Sequence, residues 1–192
     1  FYSALNARGR AGFVMANSAS DARSSEQELR QKLIEARAVD VMVAVGPNMF
    51  YTVTLPCTLW FLDKGKAKTA RADTVLFIDA RKQATMISRV QSELTDEVIE
   101  RISQTVAAWR TGGDSYQDIA GFCRSVPLAE IAQHGHVLTP GRYVGAEEVE
   151  DDDEAFADKM QTLTAKLGEQ MAKGAELDAL IRQKLGGLGY EF

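Results

Sequence analysis

Hydrophobic positions are densest between residues 39 and 64, where two apolar runs flank a polar bend. The run 39–45 is short, continuous and rich in β-branched residues, which predicts a buried strand rather than a helix. Three turn-forming residues, Gly-Pro-Asn at 46–48, end it, and residues 58–62 form the core of a second apolar run. Strands that are apolar on both faces are typical of a sheet covered on both sides, so this stretch predicts an α/β fold.

Apolar segments on either side of this stretch extend the same pattern. Residues 12–16 predict a short buried strand, and residues 74–79 predict another strand. The interpretation of residues 1–80 is therefore the end of a helix, a strand, a helix from Ser24 or Ser25, a strand, a returning strand and a final strand. This order is that of the second half of a doubly wound α/β sheet. Beyond it, the spacing of apolar residues predicts an amphipathic helix over 94–109, and a short helix opens at 125–127.

The end of the chain has two features of its own. Residues 147–154 (EEVEDDDE) hold seven acids in eight positions, which is typical of a solvated linker. Apolar residues then recur every three or four positions, which predicts one long helix or two collinear helices. This stripe indicates a helix that binds a partner, with intramolecular packing as the other interpretation. It consists of Phe156, Met160, Leu163, Leu167, Met171, Leu177, Ile181 and Leu185.

Composition narrows the class of protein. The chain has 192 residues, is 45% hydrophobic and carries a net charge of −5, so any contact with nucleic acid must be local or shared with a partner. Cys57 and Cys123 lie far apart in apolar surroundings, which predicts buried, reduced thiols and a cytoplasmic location. No apolar run is long enough to span a bilayer, and we expect no membrane contact.

Candidate chemistry is sparse. The sequence contains no GxGxxG, no GxxxxGK[ST] and no evident Ser-His-acid set. His134 and His136 flank a glycine at a predicted helix end, and we interpret them as capping or surface residues rather than metal ligands. Phe50 and Tyr51, in the bend after the first apolar run, are either core aromatics or a platform for a flat ligand.

The position of the bend favours the ligand interpretation. Ligands of open α/β sheets bind outside the carboxyl ends of the strands. If the strands 12–16 and 39–45 run in the same direction, Asn17 and Asn48 both lie on that rim. Phe50 then points to the ligand side.

Several stretches resemble the modification (methyltransferase) subunits of type I restriction-modification systems. The resemblance is carried by GRAGFVMANS, by VDVMVAVGPNMFYTVTLPCTLWFLDK, by VLFIDAR and by VPLAEIAQHGHVLTPGRYVGAEE. It implies transfer of a methyl group from S-adenosylmethionine to N6 of adenine in duplex DNA. It also implies a Rossmann-like fold in which 1–82 is the C-terminal half of the catalytic domain, 83–146 a helical connector, and 147–192 the linker and docking helix.

The family's glycine-bearing cofactor loop, acidic ribose-binding residue and Asn/Asp-Pro-Pro-Phe/Tyr tetrad are not found in the sequence. We therefore expect a C-terminal part of such a subunit, inactive alone and without the main S-adenosylmethionine-binding residues. The resemblance places Phe50 at the family's second base-stacking aromatic, with Tyr51 as the fallback.

The resemblance also implies partners: a DNA-specificity subunit, a second modification subunit, a restriction subunit and duplex DNA. The residues expected to dock the specificity subunit are Phe156, Met160, Leu163, Leu167, Leu177 and Ile181. The competing interpretation is a non-enzymatic α/β adaptor that oligomerises through its C-terminal helix.

Overall fold

A five-stranded mixed sheet organises the first 148 residues. The structure is a computed structural model that describes residues 2–51, 54–146, 156–187 and 190. Its strands and α-helices, in chain order, are β1 (Arg10–Ala16), α1 (Ser18–Asp21), α2 (Ser25–Glu35), β2 (Val39–Val45), β3 (Cys57–Asp63), β4 (Thr74–Ala80), β5 (Thr85–Met86), β6 (Ser92–Glu93), α3 (Asp96–Thr111), β7 (Cys123–Pro127), α4 (Leu128–Gln133) and α5 (Phe156–Gly186). The predicted α/β class and the predicted strands 39–45, 58–62 and 74–79 are confirmed.

The strand order in the sheet is β1-β3-β2-β4-β7. Strand β3 is antiparallel to both β1 and β2, β2 is parallel to β4, and β4 is antiparallel to β7. Strands β5 and β6 form a separate two-stranded hairpin. The β2–β4 pair is the parallel connection expected of a doubly wound sheet, with β3 returning between β1 and β2.

The two faces of the sheet are covered by different helices. On one face, Ile34 of α2 packs with Met42, Trp60 and Phe77. On the other, Trp109 of α3 packs with a cluster that includes Val43. Every residue of β2 is buried, because this central strand is covered on both faces.

Three local predictions are wrong. The sequence predicts a buried β1, but none of its residues is buried. This is because β1 is an outer strand of the sheet and pairs with β3 alone among the strands described. The expected helix over 1–7 is a single 3₁₀ turn, Tyr2–Ala4. The residues expected to open a short helix, 125–127, end strand β7 instead, and α4 begins at Leu128.

The chain divides into two compact units, Phe1–Glu148 and Val149–Phe192. The second contains α5, which continues unbroken through Gly168 and Gly174 and therefore resolves the choice between one long helix and two. At 1.5 Å per residue, its 31 residues span about 46 Å. The acidic run 147–154 lies outside the described residues. Within the described ranges, no helix is long and apolar enough to cross a membrane.

Candidate functional site

The carboxyl ends of β1 and β2 lie at the same edge of the sheet. Both strands are antiparallel to β3, and their last residues, Ala16 and Val45, both lie opposite Cys57. The two strands therefore run in the same direction, which is the condition on which the predicted rim depends. Asn17 and the bend that begins at Gly46 leave the sheet at this edge.

Two backbone features shape the bend. A Cβ atom on Gly46 would lie 2.8 Å from the carbonyl oxygen of Arg81, so only glycine allows β2 to end this close to the segment after β4. Asn48 has a φ of 62°, in the left-handed region that asparagine tolerates better than most residues. Its carbonyl oxygen accepts a 2.8 Å hydrogen bond from the backbone N–H of Ser92. The bend is therefore attached to β6.

The three large side chains of the bend differ in exposure. Met49 is partly buried and packs on the core cluster around Trp109. Phe50 is 42% exposed and Tyr51 is 92% exposed. Neither aromatic is a core residue, so the core interpretation of this pair is wrong. Met49 anchors the bend, while both aromatic rings have surface available for stacking.

Asn17 is held in place by a side-chain hydrogen bond across the sheet. The hydroxyl of Thr58, which is buried, donates to Oδ1 of Asn17 over 2.7 Å. This bond fixes the end of β1 to the start of β3. The amide nitrogen of Asn17 has no protein acceptor among the residues that the structure describes, and it remains a donor at the rim.

The LTPGRYV segment packs against the same edge at β4. It forms a 3₁₀ turn, Pro140–Arg142, and then buries Tyr143, whose ring stacks on Phe77 with 4.3 Å between ring centroids. The Tyr143 hydroxyl donates to the carbonyl oxygen of Val137 over 2.6 Å, and burial raises the pKa of Tyr143 to about 12. The segment is therefore a structural support of the edge.

Other candidate chemistry does not coincide with this edge. An apolar cleft of about 480 Å³ lies between β2, β3 and α3, with Val41, Phe61 and Ile102 in its wall. None of the four residues predicted for the rim and the platform lines it, and we interpret it as a gap in helix–sheet packing. Within the described parts of the chain, no three His, Cys, Asp or Glu side chains are grouped closely enough to hold a metal. His134 lies edge-on to Tyr143, and the carbonyl oxygen of His136 accepts a hydrogen bond from Arg30.

Sequence reasoning missed a group of charged residues at the opposite edge of the sheet. Asp40 is fully buried and accepts hydrogen bonds from Arg71 and Arg110, at 2.5 and 2.6 Å. Lys66 is also fully buried, although the sequence places it in a polar stretch after β3. The one signal in the sequence is the density of basic residues in KGKAKTAR.

The helix α5 carries an apolar stripe along its surface. We call Met160, Leu163, Leu167, Leu177 and Ile181 the docking stripe. Each of these side chains is between 43% and 55% exposed within its unit. Phe156 begins the helix, but its side chain lies outside the described residues. The spacing of the stripe puts it on one face of the helix, as predicted.

The fold and the rim together define a class: a doubly wound α/β protein that presents exposed aromatic residues at the carboxyl edge of its sheet. Comparison with known proteins narrows this class. Residues 1–152 match the model of the N-6 DNA Methylase family. The chain therefore belongs to the N-6 DNA Methylase family.

Two relatives found by sequence and one solved structure show how much of the length of such a protein this chain covers. The chain is 46% identical over 188 residues to the type I restriction enzyme HindI methylase subunit of Haemophilus influenzae, covering 97% of this chain and 42% of that protein. It is 39% identical over 183 residues to the MjaIX methylase subunit of Methanocaldococcus jannaschii, covering 95% and 32%. The chain thus spans less than half the length of these relatives.

The third relative is a solved structure, and it supports the fold. The crystal structure of a type I restriction-modification system methyltransferase subunit from Streptococcus thermophilus matches with a TM-score of 0.62 and 25% identity, over 72% of this chain and 27% of that one. The predicted methyltransferase-type sheet is confirmed by this match.

Proposed function

We propose that this chain is the C-terminal part of the modification subunit of a type I restriction-modification system. In the intact enzyme, that subunit transfers a methyl group from S-adenosylmethionine to N6 of adenine in duplex DNA. The proposal is supported by the family and by the methylase subunits that the chain matches. The observation that carries the site is the exposed Phe50, on a bend at the carboxyl edge of the sheet. With two free, buried thiols, we place the protein in the cytoplasm.

The residues of this edge do not by themselves fit S-adenosylmethionine. The sequence has no GxGxxG turn to approach the cofactor, and no Asn/Asp-Pro-Pro-aromatic tetrad to receive the amino group. Asp79, a carboxylate near this edge, accepts from the backbone N–H, Nε and Nη2 of Arg81, so both of its oxygens are engaged with Arg81. In our proposal, the remainder of the subunit supplies the cofactor site and the tetrad.

The contribution of this chain is to hold the target base. An adenine inside a duplex must rotate out of the base stack before its amino group can react, and the extruded base is held by stacking and by hydrogen bonds to its edge. Phe50 supplies the stacking surface in our proposal, and Tyr51 is the second candidate. Asn17 and Asn48 lie on the rim as polar neighbours.

We predict that Phe50→Ala in the full-length subunit, assembled with its partners, weakens capture of the adenine. Stacking of a base on an aromatic ring contributes about 1–3 kcal/mol, so we expect roughly a 5- to 150-fold loss in kcat/KM for methyl transfer. The fluorescence of 2-aminopurine at the target position should fall in parallel, because the base spends less time outside the stack.

The controls for this prediction come from the same bend. Phe50→Tyr retains a ring and should keep most of the activity, whereas Leu55→Ala removes an exposed apolar side chain nearby and should change little. Normal kinetics for Phe50→Ala together with a loss for Tyr51→Ala would transfer the role to Tyr51. Normal kinetics for both would remove the bend from the site.

We further propose that the docking stripe binds the DNA-specificity subunit, in an assembly that also holds a second modification subunit and a restriction subunit. An exposed apolar face on a helix is a common mode of docking into a groove of a partner. The names of the relatives, each called a subunit, agree with a multi-subunit assembly.

Polar substitution of the stripe is expected to prevent this assembly. Leu163→Asp/Leu167→Asp buries two carboxylates at the interface, and we expect loss of co-purification with the specificity subunit. The matched control is Gln161→Asp/Ala165→Asp, which adds the same charges about 160° around the helix. Mass measured by light scattering during size-exclusion chromatography distinguishes the outcomes. If the stripe variant still assembles, docking occurs elsewhere.

The alternative of a non-enzymatic adaptor is not favoured. It accounts for the absent tetrad, but the relatives that match nearly all of this chain are methylase subunits.

A further inference from the structure

A concave, positively charged surface lies at the amino edge of the sheet, opposite the bend. Here β1 begins and β3 ends, and the segment after β3 crosses in front of them. The resulting cleft has a volume of about 350 Å³. We call it the basic cleft, and its charged and polar walls are formed by Arg8, Arg10, Asp63, Lys68, Thr69 and Arg71.

Two of the four cations in this wall are paired with carboxylates, and two are not paired within the described part of the chain. Arg10 is paired with Asp63 at 2.9 Å, and Arg71 is paired with Asp40 at 2.5 Å. Arg8 and Lys68 are both exposed, and neither side chain has a carboxylate within 4.0 Å among the described residues. An exposed pair of uncompensated cations in a cleft is a site of positive potential.

The protein behind the cleft adds to this potential. Lys66 is buried, and its ammonium group donates to the carbonyl oxygen of Val39 over 2.5 Å and faces the ring of Trp109 at 5.9 Å. No carboxylate lies within 4.0 Å of it among the residues described. Its charge therefore has no direct ion-pair partner, and the carboxylates of Asp40, Asp63 and Asp73 attract it only from a greater distance. Low-dielectric walls focus such a field into a cleft.

The local balance of charge is the reverse of that of the whole chain. Arg8, Arg10, Lys68 and Arg71 line the cleft, and Lys66 is buried behind it. Among the described residues, the carboxylates paired with these cations are those of Asp63 and Asp40. Five cations against two carboxylates leave a surplus of +3, in a chain whose net charge is −5.

We propose that the basic cleft binds the phosphate backbone of duplex DNA. The guanidinium of Arg8 offers a fork of N–H donors and Lys68 a mobile ammonium, the two groups that most often contact phosphate oxygens. Duplex DNA is the polyanion that a member of the N-6 DNA Methylase family encounters. An acidic peptide is the competing ligand.

This DNA is not the base pair presented to Phe50. Strands of seven residues place the two edges of the sheet about 23 Å apart, on opposite ends of the strands. The cleft therefore contacts DNA that flanks the target or belongs to a second duplex. Such a contact positions the duplex without reading its sequence, because phosphates carry no base identity.

The test uses this 192-residue chain and a fluorescein-labelled 20-base-pair duplex. Anisotropy titrations between 25 and 200 mM KCl give the affinity and its dependence on salt. For Arg8→Gln/Lys68→Gln we expect binding at least about 5-fold weaker at 50 mM KCl. The slope of log K against log[KCl] should be smaller by about 1–2, since each phosphate that the protein no longer neutralises lowers the slope by about 0.9.

Matched variants separate the cleft from charge in general. Lys32→Gln/Lys173→Gln removes the same two charges from α2 and α5, and we expect it to retain the slope of the parent chain. Leu55→Ala, at an exposed apolar side chain of the bend, should also retain the slope. The titration contains no S-adenosylmethionine, so it does not depend on methyl transfer. The result therefore stands apart from that of the proposed function.

Two results would overturn the proposal. The first is a slope and affinity for Arg8→Gln/Lys68→Gln equal to those of the Lys32→Gln/Lys173→Gln control. The second is binding of polyglutamate as tight as that of the duplex, with an equal decrease in the cleft variant, which would assign the cleft to an acidic peptide. Circular dichroism should be the same for all the variants, because the substituted side chains are exposed.

Discussion

Replacing Asp40 by Asn is expected to lower the free energy of unfolding by about 3–5 kcal/mol. The Asp40 carboxylate is fully buried within β2, and it accepts from Nη1 of Arg71 and from Nε and Nη2 of Arg110. The isosteric amide keeps the shape but removes the negative charge. Two guanidinium groups then remain beside the buried Lys66 without a counter-charge. Uncompensated charge in a buried position accounts for the size of the expected loss.

The matched control is Asp73→Asn, which breaks the ion pair with Arg37. That pair is exposed, with 47% of the Arg37 side chain and 70% of the Asp73 side chain accessible to solvent. Exposed pairs contribute about 0–1 kcal/mol, so this variant should be close to the parent chain. Urea unfolding followed by circular dichroism measures both. A difference between the two variants below about 1 kcal/mol would show that burial of the Asp40 cluster does not strengthen its ion pairs.

A third variant separates the net contribution of the ion cluster to stability from the penalty of leaving its two arginines unpaired. Asp40→Leu/Arg71→Met/Arg110→Met replaces the whole set with apolar groups of similar volume. Buried ion clusters replaced in this way often lose little stability, because the desolvation cost disappears with the charges. We expect this triple variant to be more stable than Asp40→Asn alone.

This cluster also shows where prediction from the sequence stops. The strands 39–45, 58–62 and 74–79 are predictable because their apolar runs are short and continuous, and burial on both faces produces such runs. The same apolar pattern masks the charge of Asp40, the second residue of the run 39–45. Its partners lie 31 and 70 residues away along the chain. Local periodicity carries no information about pairs at that separation.

The errors at β1 and β7 have a related cause. Residues 12–16 are as apolar as a buried strand, but β1 occupies an edge of the sheet, and strand order is a property of the whole fold. β7 is short and contains Arg124, Ser125 and Pro127, which obscure the alternation typical of a strand. Strand β7 forms because it pairs with β4 over five residues.

The candidate site is predictable in position but not in detail. The rule for open α/β sheets places the bend at the ligand edge once β1 and β2 are assumed to run in the same direction. That assumption is correct, because β3 lies between β1 and β2 and is antiparallel to both. The exposure of Phe50, the hydrogen bond from Thr58 to Asn17 and the attachment of Asn48 to Ser92 depend on tertiary contacts.

Lys66 leads to the second large effect, a rise in stability with pH. Burial lowers the pKa of Lys66 from 10.5 to about 8 in the folded protein, and nearby Asp40 opposes this shift only in part. Below pH 8, the lysine is charged in both the folded and the unfolded states, and the folded state bears the full cost of the buried charge. Between pH 8 and 10.5 the unfolded chain binds more protons, so stability increases with pH. Above 10.5 the cost is absent. The difference between a pKa of 10.5 and one of about 8 corresponds to a cost in folding free energy of about 3 kcal/mol.

We therefore expect Lys66→Met to abolish this dependence. Its stability relative to the parent chain should be highest near pH 7 and should fall by about 3 kcal/mol by pH 10.5, as the parent chain loses the buried charge. The carbonyl oxygen of Val39 loses its donor in the variant, which subtracts about 1–3 kcal/mol at every pH and leaves the trend unchanged. Tyrosines and cysteines titrate in both proteins and cancel in the difference.

The control is Lys68→Met at an exposed position, where the difference in free energy of unfolding from the parent chain should not change with pH. Urea unfolding at pH 7, 8, 9 and 10 measures the trend. If the free energies of unfolding of Lys66→Met and of the parent chain changed with pH in parallel, the charge of Lys66 would not destabilise the fold. A falling difference would identify the buried ammonium as a permanent positive charge behind the basic cleft at neutral pH, maintained at a measurable cost to the fold.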